Sequence, residues 1–160
     1  MRSHTGVFIF VNNSLIVQYS KKQNTVESAT GAEMLAIQVA RDLAVALRIK
    51  LKMFGVPIDG PADFFYDNDS VVKNTSISTS MLAKKHNSVN YHIIREFRES
   101  AAAGILRVAK IPTGGNYGDA LTQVLPMRKR IDFCNIIDEK TSGEAKDDLC
   151  SCFTSMNCQR

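Results

Sequence analysis

Three acidic residues lie where predicted secondary-structure elements begin or end. Glu33 is in the first turn of a predicted helix, Asp67 follows a short apolar run, and Asp119 is near the start of a short helix. In open α/β sheets, binding sites gather at the strand ends. A group of carboxylates there repels itself unless cations hold it, and hard oxygen ligands select Mg²⁺ or Mn²⁺. Two such ions about 3.5–4 Å apart can activate a water and stabilise the leaving oxygen in phosphodiester cleavage.

Each of these acids also has a purely structural interpretation. Glu33 stands three residues after Thr30 and completes the pattern of a capping box. Asp67 precedes Asn68 and suits a turn, and Asp119 stabilises a helix N-terminus through the helix dipole. Taken one at a time, none of the three acids identifies a site.

The elements that must position these acids alternate between strand and helix. Two β-rich runs flank the turn residues Asn12-Asn13-Ser14 and predict a hairpin. The order ββαβααβα then indicates an α/β domain with a mixed sheet, in which helical crossovers join the later strands. The predicted strands cover residues 5–11, 15–20, 62–66 and 105–111, and the predicted helices cover about 32–53, 70–73, 81–103 and 117–125.

Length and composition indicate one globular domain. The chain has 160 residues, of which 44% are hydrophobic and 22% are charged. It contains neither an apolar run of membrane-spanning length nor a signal-peptide pattern, so we expect an intracellular protein without a membrane partner. Residues 138–160 hold five of the 16 acids and three of the 20 bases, which leaves a net charge of +6 on residues 1–137. A moderately basic body is compatible with a polyanionic partner.

The C-terminal residues 138–160 differ from the rest of the chain in acid and cysteine content. They contain Cys150, Cys152 and Cys158, and the fourth cysteine is Cys134. This spacing does not match a zinc site, and it favours free thiols in a reducing compartment. We expect a domain over residues 1–137 and a disordered, removable tail over residues 138–160.

Five segments of the chain carry a resemblance to a known family. They read RSHTGVFIFVNN, YSKKQNTVESAT-GAEMLAI, FFYDNDSVVKN, KKHNSVNYHIIRE and GDALTQVLP. In order and spacing they resemble the RNase H domain at the C-terminal end of copia-type retrotransposon polyproteins. The corresponding family blocks are S-x-S-G-Y-V-F, SKKQ-x-TV with S-x-x-E, DN-x-x-A, KHI-x-x-x-YH-x-x-RE and LADxxTK. The resemblance covers residues from about Arg2 to about Ile137.

The resemblance implies an RNase H-like mixed sheet with flanking helices. That family uses four acids to bind two Mg²⁺ ions and cleave the RNA strand of an RNA–DNA hybrid. By resemblance, Glu33 is the second acid, Asp67 the third and Asp119 the fourth, so we expect the three to converge. The family's first acid lies on a central first strand upstream of the S-x-S-G block, and Met1 already lies past that point. We therefore expect the central strand and its Asp to be missing, and the chain to be inactive or nearly so.

The resemblance also implies partners. An RNA–DNA hybrid is the expected ligand, and a reverse transcriptase domain would precede this one in the parent polyprotein. Contacts with the phosphates are expected from Lys84, Lys85, His86 and Arg95, although a helix surface would also place these residues in solvent. Two alternatives stay open: a non-catalytic module that binds nucleic acid or another protein, and a pseudogene product. An upstream Asp-containing strand in the genomic sequence would indicate a piece of an active polyprotein.

Overall fold

The N-terminal hairpin forms as its sequence predicts. In the computed structural model, β1 (Arg2–Val11) pairs with β2 (Ser14–Lys22) in antiparallel register, and Asn12 adopts a positive φ of 48° in the turn. An amide side chain tolerates this left-handed conformation better than most residues do. Four consecutive residues of β1, Val7 to Phe10, are buried, so both faces of this strand are covered.

The structure describes residues 2–12, 14–24, 29–69, 72–73, 88–112, 115–122, 126–128, 130–132, 134–135 and 150–159. The fold is mixed α/β. Three further strands are β3 (Ala62–Tyr66), β4 (Leu106–Lys110) and β5 (Cys150–Gln159), and the helices are α1 (Ala29–Met53), α2 (Ser88–Ala102) and α3 (Asp119–Thr122). Among these residues, no helix is both long enough and apolar enough to cross a membrane.

The five strands form one sheet in the order β2-β1-β5-β3-β4. Strand β5 lies between β1 and β3, antiparallel to β1 over ten residue pairs and parallel to β3 over three. Strands β3 and β4 are parallel, and the Arg107 guanidinium of β4 binds both carboxylate oxygens of Asp63 on β3, at 2.6 and 2.8 Å. The sheet therefore combines an antiparallel hairpin with parallel crossovers.

Strand β5 corrects two expectations. Residues 138–160 were expected to be disordered, but residues 150–159 form a central strand, and the sheet is continuous rather than split. The acids at 138–148 favour a solvated tail, whereas residues 150–159 contain no charged residue. The edges of β1 and β3 that face each other carry backbone N–H and C=O groups that need hydrogen-bond partners. The backbone of β5 provides these partners. Residues 136–149 lie outside the described part of the chain.

Helices cover both faces of the sheet. On one face, Met34 and Ile37 of α1 pack with Val7, Ile9 and Phe64 in a single cluster. Helix α2 adds Phe97, whose ring meets that of Phe64 edge-on with centroids 5.5 Å apart. On the opposite face, Phe8 and Phe10 pack with residues around α3, which are Tyr117, Ala120 and Leu121, and with Leu15, Phe65 and Ile111. Alternate residues of β1 thus contact different helices.

Local sequence signals predict the C-terminal ends of the two long helices but not the beginning of α1. Helix α1 ends at Met53, before Gly55 at φ 77°, and α2 ends at Ala102, before Gly104 at φ 68°, as predicted. The predicted beginning of the second long helix, at Met81, lies outside the described residues. Helix α1 begins at Ala29 rather than Ala32, which places Thr30 inside the helix instead of at its cap.

Candidate metal and nucleic-acid site

Glu33 and Asp67 lie close together at one end of the sheet. Glu33 is half-buried in the second turn of α1, and Asp67 directly follows β3. The side-chain amide of Asn68 donates a 2.6 Å hydrogen bond to Glu33 Oε2. Burial raises the pKa of Glu33, the Asn68 hydrogen bond opposes this rise, and the negative charge of Asp67 adds to it. The capping-box interpretation of Glu33 is wrong, because Thr30 is not the cap of α1.

Gln23 holds the N-terminal part of α1 against the sheet. Its Nε2 donates to Thr5 Oγ1 at 2.7 Å and to the Ala32 carbonyl oxygen at 2.9 Å. Its backbone amide donates to the Ser3 carbonyl oxygen at 2.8 Å. Since Ala32 precedes Glu33, these bonds fix the acid relative to β1.

Asp119 begins α3 at the same end of the sheet, but α3 covers the other face. The carbonyl oxygen of Gly118 lies against Gly6 of β1, where an added Cβ would come within 2.7 Å of it. The register of β5 relates Gly6 to Asp67. Ser155 of β5 pairs with Gly6 of β1, and Phe153, two residues earlier, pairs with Phe65 of the parallel strand β3. Two residues after Phe65 is Asp67, which is therefore level with Ser155. Gly6 and Asp67 are therefore at one level of the sheet, separated by β5.

The side chains at the end of β3 carry oxygen atoms of the kind that divalent cations prefer. Glu33 and Asp67 have carboxylate oxygens, which are hard ligands suited to Mg²⁺. In the part of the chain that the structure describes, however, no three His, Cys, Asp or Glu residues form a group that could hold a metal ion. The convergence of Asp119 with the other two acids stays a prediction.

The central strand contributes no acid to this end of the sheet. The sequence of β5, CSCFTSMNCQ, contains neither Asp nor Glu. The strand between the hairpin and β3 is therefore present, but without the carboxylate that the resemblance places on such a strand.

Of the four residues expected to contact phosphates, the structure describes only Arg95. Lys84, Lys85 and His86 lie outside the described residues. Arg95 is exposed on α2, where its Nε donates to Glu99 at 2.8 Å, so a phosphate would compete with this carboxylate. His92 is exposed as well, and its ring meets that of Tyr91 edge-on at 5.9 Å.

Two lysines that the sequence patterns did not mark as candidates lie at the same end of the sheet as the acids, separated from β3 by the two strands β1 and β5. Lys21 and Lys22 are exposed at the end of β2 and pair with Thr5 and His4 of β1. They immediately precede Gln23, which anchors α1 next to Glu33. The sequence feature that could have identified Lys21, Lys22 and Gln23 is their position in the SKKQ block. For Asn68, the corresponding feature is its position directly after Asp67.

The chain was compared with known proteins by sequence and by structure. No family model matches the chain, and no solved structure matches it.

Proposed function

We propose that this chain is an RNase H-like domain of the copia retrotransposon type that binds RNA–DNA hybrids and one divalent cation. The observation that carries the proposal is the pairing of Glu33 with Asp67 at the end of β3, with Asn68 hydrogen-bonded to Glu33. These acids come from two of the five segments on which the resemblance rests. The sheet order supports the proposal, because the family places a central strand between its hairpin and the strand that precedes the third acid.

Each residue at the sheet end has a role in this proposal. Glu33 and Asp67 hold the cation, and Asn68 orients the Glu33 carboxylate. Lys21 and Lys22 contact phosphates of the hybrid, as exposed ammonium groups at the same end of the sheet. A divalent ion at such a site polarises a phosphate oxygen and lowers the pKa of a bound water.

Cleavage by this chain is slow or absent in our proposal. The resemblance implies four acids and two ions. Among the described residues, the charge of Asp67 acts on Glu33, no group of three metal-ligating side chains is found, and β5 carries no acid. Recognition of the hybrid needs no hydrolysis, since groove shape and 2′-hydroxyl contacts distinguish it from a DNA duplex. The domain is thus a hybrid-binding module with a residual metal site.

Fluorescence anisotropy in the presence of Mg²⁺ tests the proposal. It measures the dissociation constants of a fluorescent RNA–DNA hybrid and of a DNA duplex of the same sequence. We expect tighter binding of the hybrid. The double variant Lys21→Glu/Lys22→Glu should weaken hybrid binding at least tenfold and reduce the slope of log K against log salt by about 2, because each lost phosphate contact contributes nearly one.

The matched control reverses the charge of two exposed lysines on α1 that are far from Glu33. Lys50 lies 17 residues beyond Glu33 on α1, about 26 Å along the helix axis. Lys50→Glu/Lys52→Glu changes the net charge equally and should affect hybrid binding much less. Equal losses in the two double variants, or equal affinity for hybrid and duplex, would contradict the proposal.

A further inference from the structure

A groove of about 530 Å³ is lined by residues of α1 and α2. Its apolar lining residues are Val45, Ala46 and Ile49 of α1, together with Ile105. Ile49 is 55% exposed, and beyond it Met53 and Phe54 are 80% and 83% exposed. Exposed apolar side chains are therefore found both in the groove and at the end of α1.

The charged residues that line the groove, which we call its rim, are mostly acidic. Three carboxylates, those of Asp42, Glu96 and Glu99, line it together with one base, Arg41. Arg41 is already shared between Asp42, at 2.8 Å, and Glu96, at 2.6 Å. The lining residues thus carry a net charge of −2, and an occupant with apolar side chains flanked by bases would complement them.

The chain carries a segment with this chemistry. The described residues of 126–135 are all exposed, and most are helical. Met127, Ile131 and Cys134 follow one another at helical spacings of four and three, with Met127 72% and Ile131 50% exposed. Arg128, Lys129 and Arg130 lie between them and outnumber Asp132, which gives the segment a net charge of +2. So short a helix is unstable unless something packs against its apolar stripe.

We propose that residues 126–135 of one copy bind the α1–α2 groove of a second copy, so that two copies exchange these helices in a dimer. Met127 and Ile131 pack on Ile49 and its neighbours, and Arg128 and Arg130 face the carboxylates of the rim. A reciprocal exchange uses each groove and each basic helix once, which closes the assembly. This inference does not depend on nucleic-acid binding.

Sedimentation velocity of the full chain over a concentration series tests the proposal. We expect a monomer–dimer equilibrium that weakens as salt increases. The double variant Met127→Asp/Ile131→Asp places charges on the apolar side of the helix, and Ile49→Asp places a charge in the groove. Each change should raise the dissociation constant of the dimer at least tenfold. The matched control is Ile16→Asp on β2, because Ile16 is 54% exposed and lies outside both surfaces.

A charge-exchange experiment tests the pairing itself. Asp42→Arg on the groove and Arg128→Glu/Arg130→Glu on the helix should each weaken self-association, and a mixture of the two variants should form a heterodimer. Since all these positions are exposed, thermal unfolding should be nearly unchanged. A monomer at every concentration, or equal dissociation constants for Ile49→Asp and Ile16→Asp, would overturn the proposal. So would a mixture that associates no better than its components.

Discussion

The side-chain amide of Asn68 donates a 2.6 Å hydrogen bond to the carboxylate of Glu33 and thereby connects the segment after β3 with α1. Asn68 neighbours Asp67, whose charge acts on the same carboxylate. The contact brings together residues 35 positions apart in the sequence. It makes the protonation of Glu33 a sensitive reporter of the candidate site.

The pKa of Glu33 predicts how stability depends on pH. Burial and Asp67 raise this pKa above its ordinary value of 4.5, so the folded state favours the protonated acid. The associated stability is fully present below pH 4.5 and is lost as the pH rises through the folded-state pKa. Glu33→Gln should therefore be more stable than the wild type at about pH 7, and should lose this advantage in acid. Urea unfolding across this pH range measures the difference.

Glu99→Gln is the matched control for that experiment. Glu99 is an exposed glutamate paired with Arg95 on the helix surface. Its replacement should leave the neutral-pH stability within about 0.5 kcal/mol of the wild type, as is usual for surface substitutions. A Glu33→Gln protein that is less stable than the wild type at neutral pH would show that the Glu33 carboxylate is not in an unfavourable environment.

Mg²⁺ should stabilise the wild-type protein. A cation between Glu33 and Asp67 removes their repulsion and binds only the folded arrangement, so thermal stability should increase with Mg²⁺ concentration. Asp67→Asn should lose most of this increase, whereas Asp59→Asn, at an exposed loop position, should keep it. An equal increase in both variants would indicate that the ion acts elsewhere.

Gly6 of β1 is in close contact with α3 and with the residue before it. A Cβ at this position would lie 2.7 Å from the Gly118 carbonyl oxygen and 2.8 Å from side-chain atoms of Leu121 and Thr122. Gly6→Ala should destabilise the fold by about 1–3 kcal/mol, because α3 must move. Gly60→Ala is the control, since an added Cβ there meets nothing within 4 Å. Chemical denaturation measures both, and equal stabilities would contradict the described packing of α3.

Strand β5 should be essential for folding. Removal of residues 150–160 exposes the inner ladders of β1 and β3, which β5 pairs over ten and three residues. We expect loss of the cooperative thermal transition. Phe153→Pro, which removes one backbone donor from the same strand, should lower stability by several kcal/mol. A truncated chain that unfolds cooperatively at the wild-type temperature would mean that β5 adds nothing to the sheet.

Local patterns predicted much of the fold, and non-local pairing explains the remainder. The hairpin, α1 and β3 follow from β-rich runs, helical periodicity and turn residues such as Asn12, all of which are features of neighbouring residues. Strand β5 was missed because its central place depends on partners more than 85 positions away, such as Phe65 for Phe153. Periodicity in residues 150–159 alone carries no information about such partners.

The candidate site divides in the same way. The resemblance predicts that Glu33, Asp67 and Asp119 converge. In the structure the charge of Asp67 acts on Glu33. The hydrogen bond from Asn68 and the anchoring of α1 by Gln23 arise from tertiary packing, which no sequence spacing specifies. Asp119 begins a helix that covers the opposite face of the sheet, and its convergence with the other two acids stays a prediction.

In the function that we propose, β5 fills the position between the hairpin and β3, and this strand supplies no acid to the candidate metal site. Thr154 pairs with Val7 of β1 and follows Phe153, which pairs with Phe65 of β3, so by register Thr154 is level with Tyr66, the residue before Asp67. Thr154→Asp adds a carboxylate at this position of the strand, and Thr154→Asn is the uncharged control of similar size. The measurement is Mg²⁺-dependent cleavage of end-labelled RNA in an RNA–DNA hybrid. We expect the Asp variant to cleave the RNA at least a hundredfold faster than the Asn variant or the wild type, a difference of about 2.7 kcal/mol in the activation barrier. Folded Asp and Asn variants that cleave equally, or a wild-type chain as active as the Asp variant, would contradict the proposal.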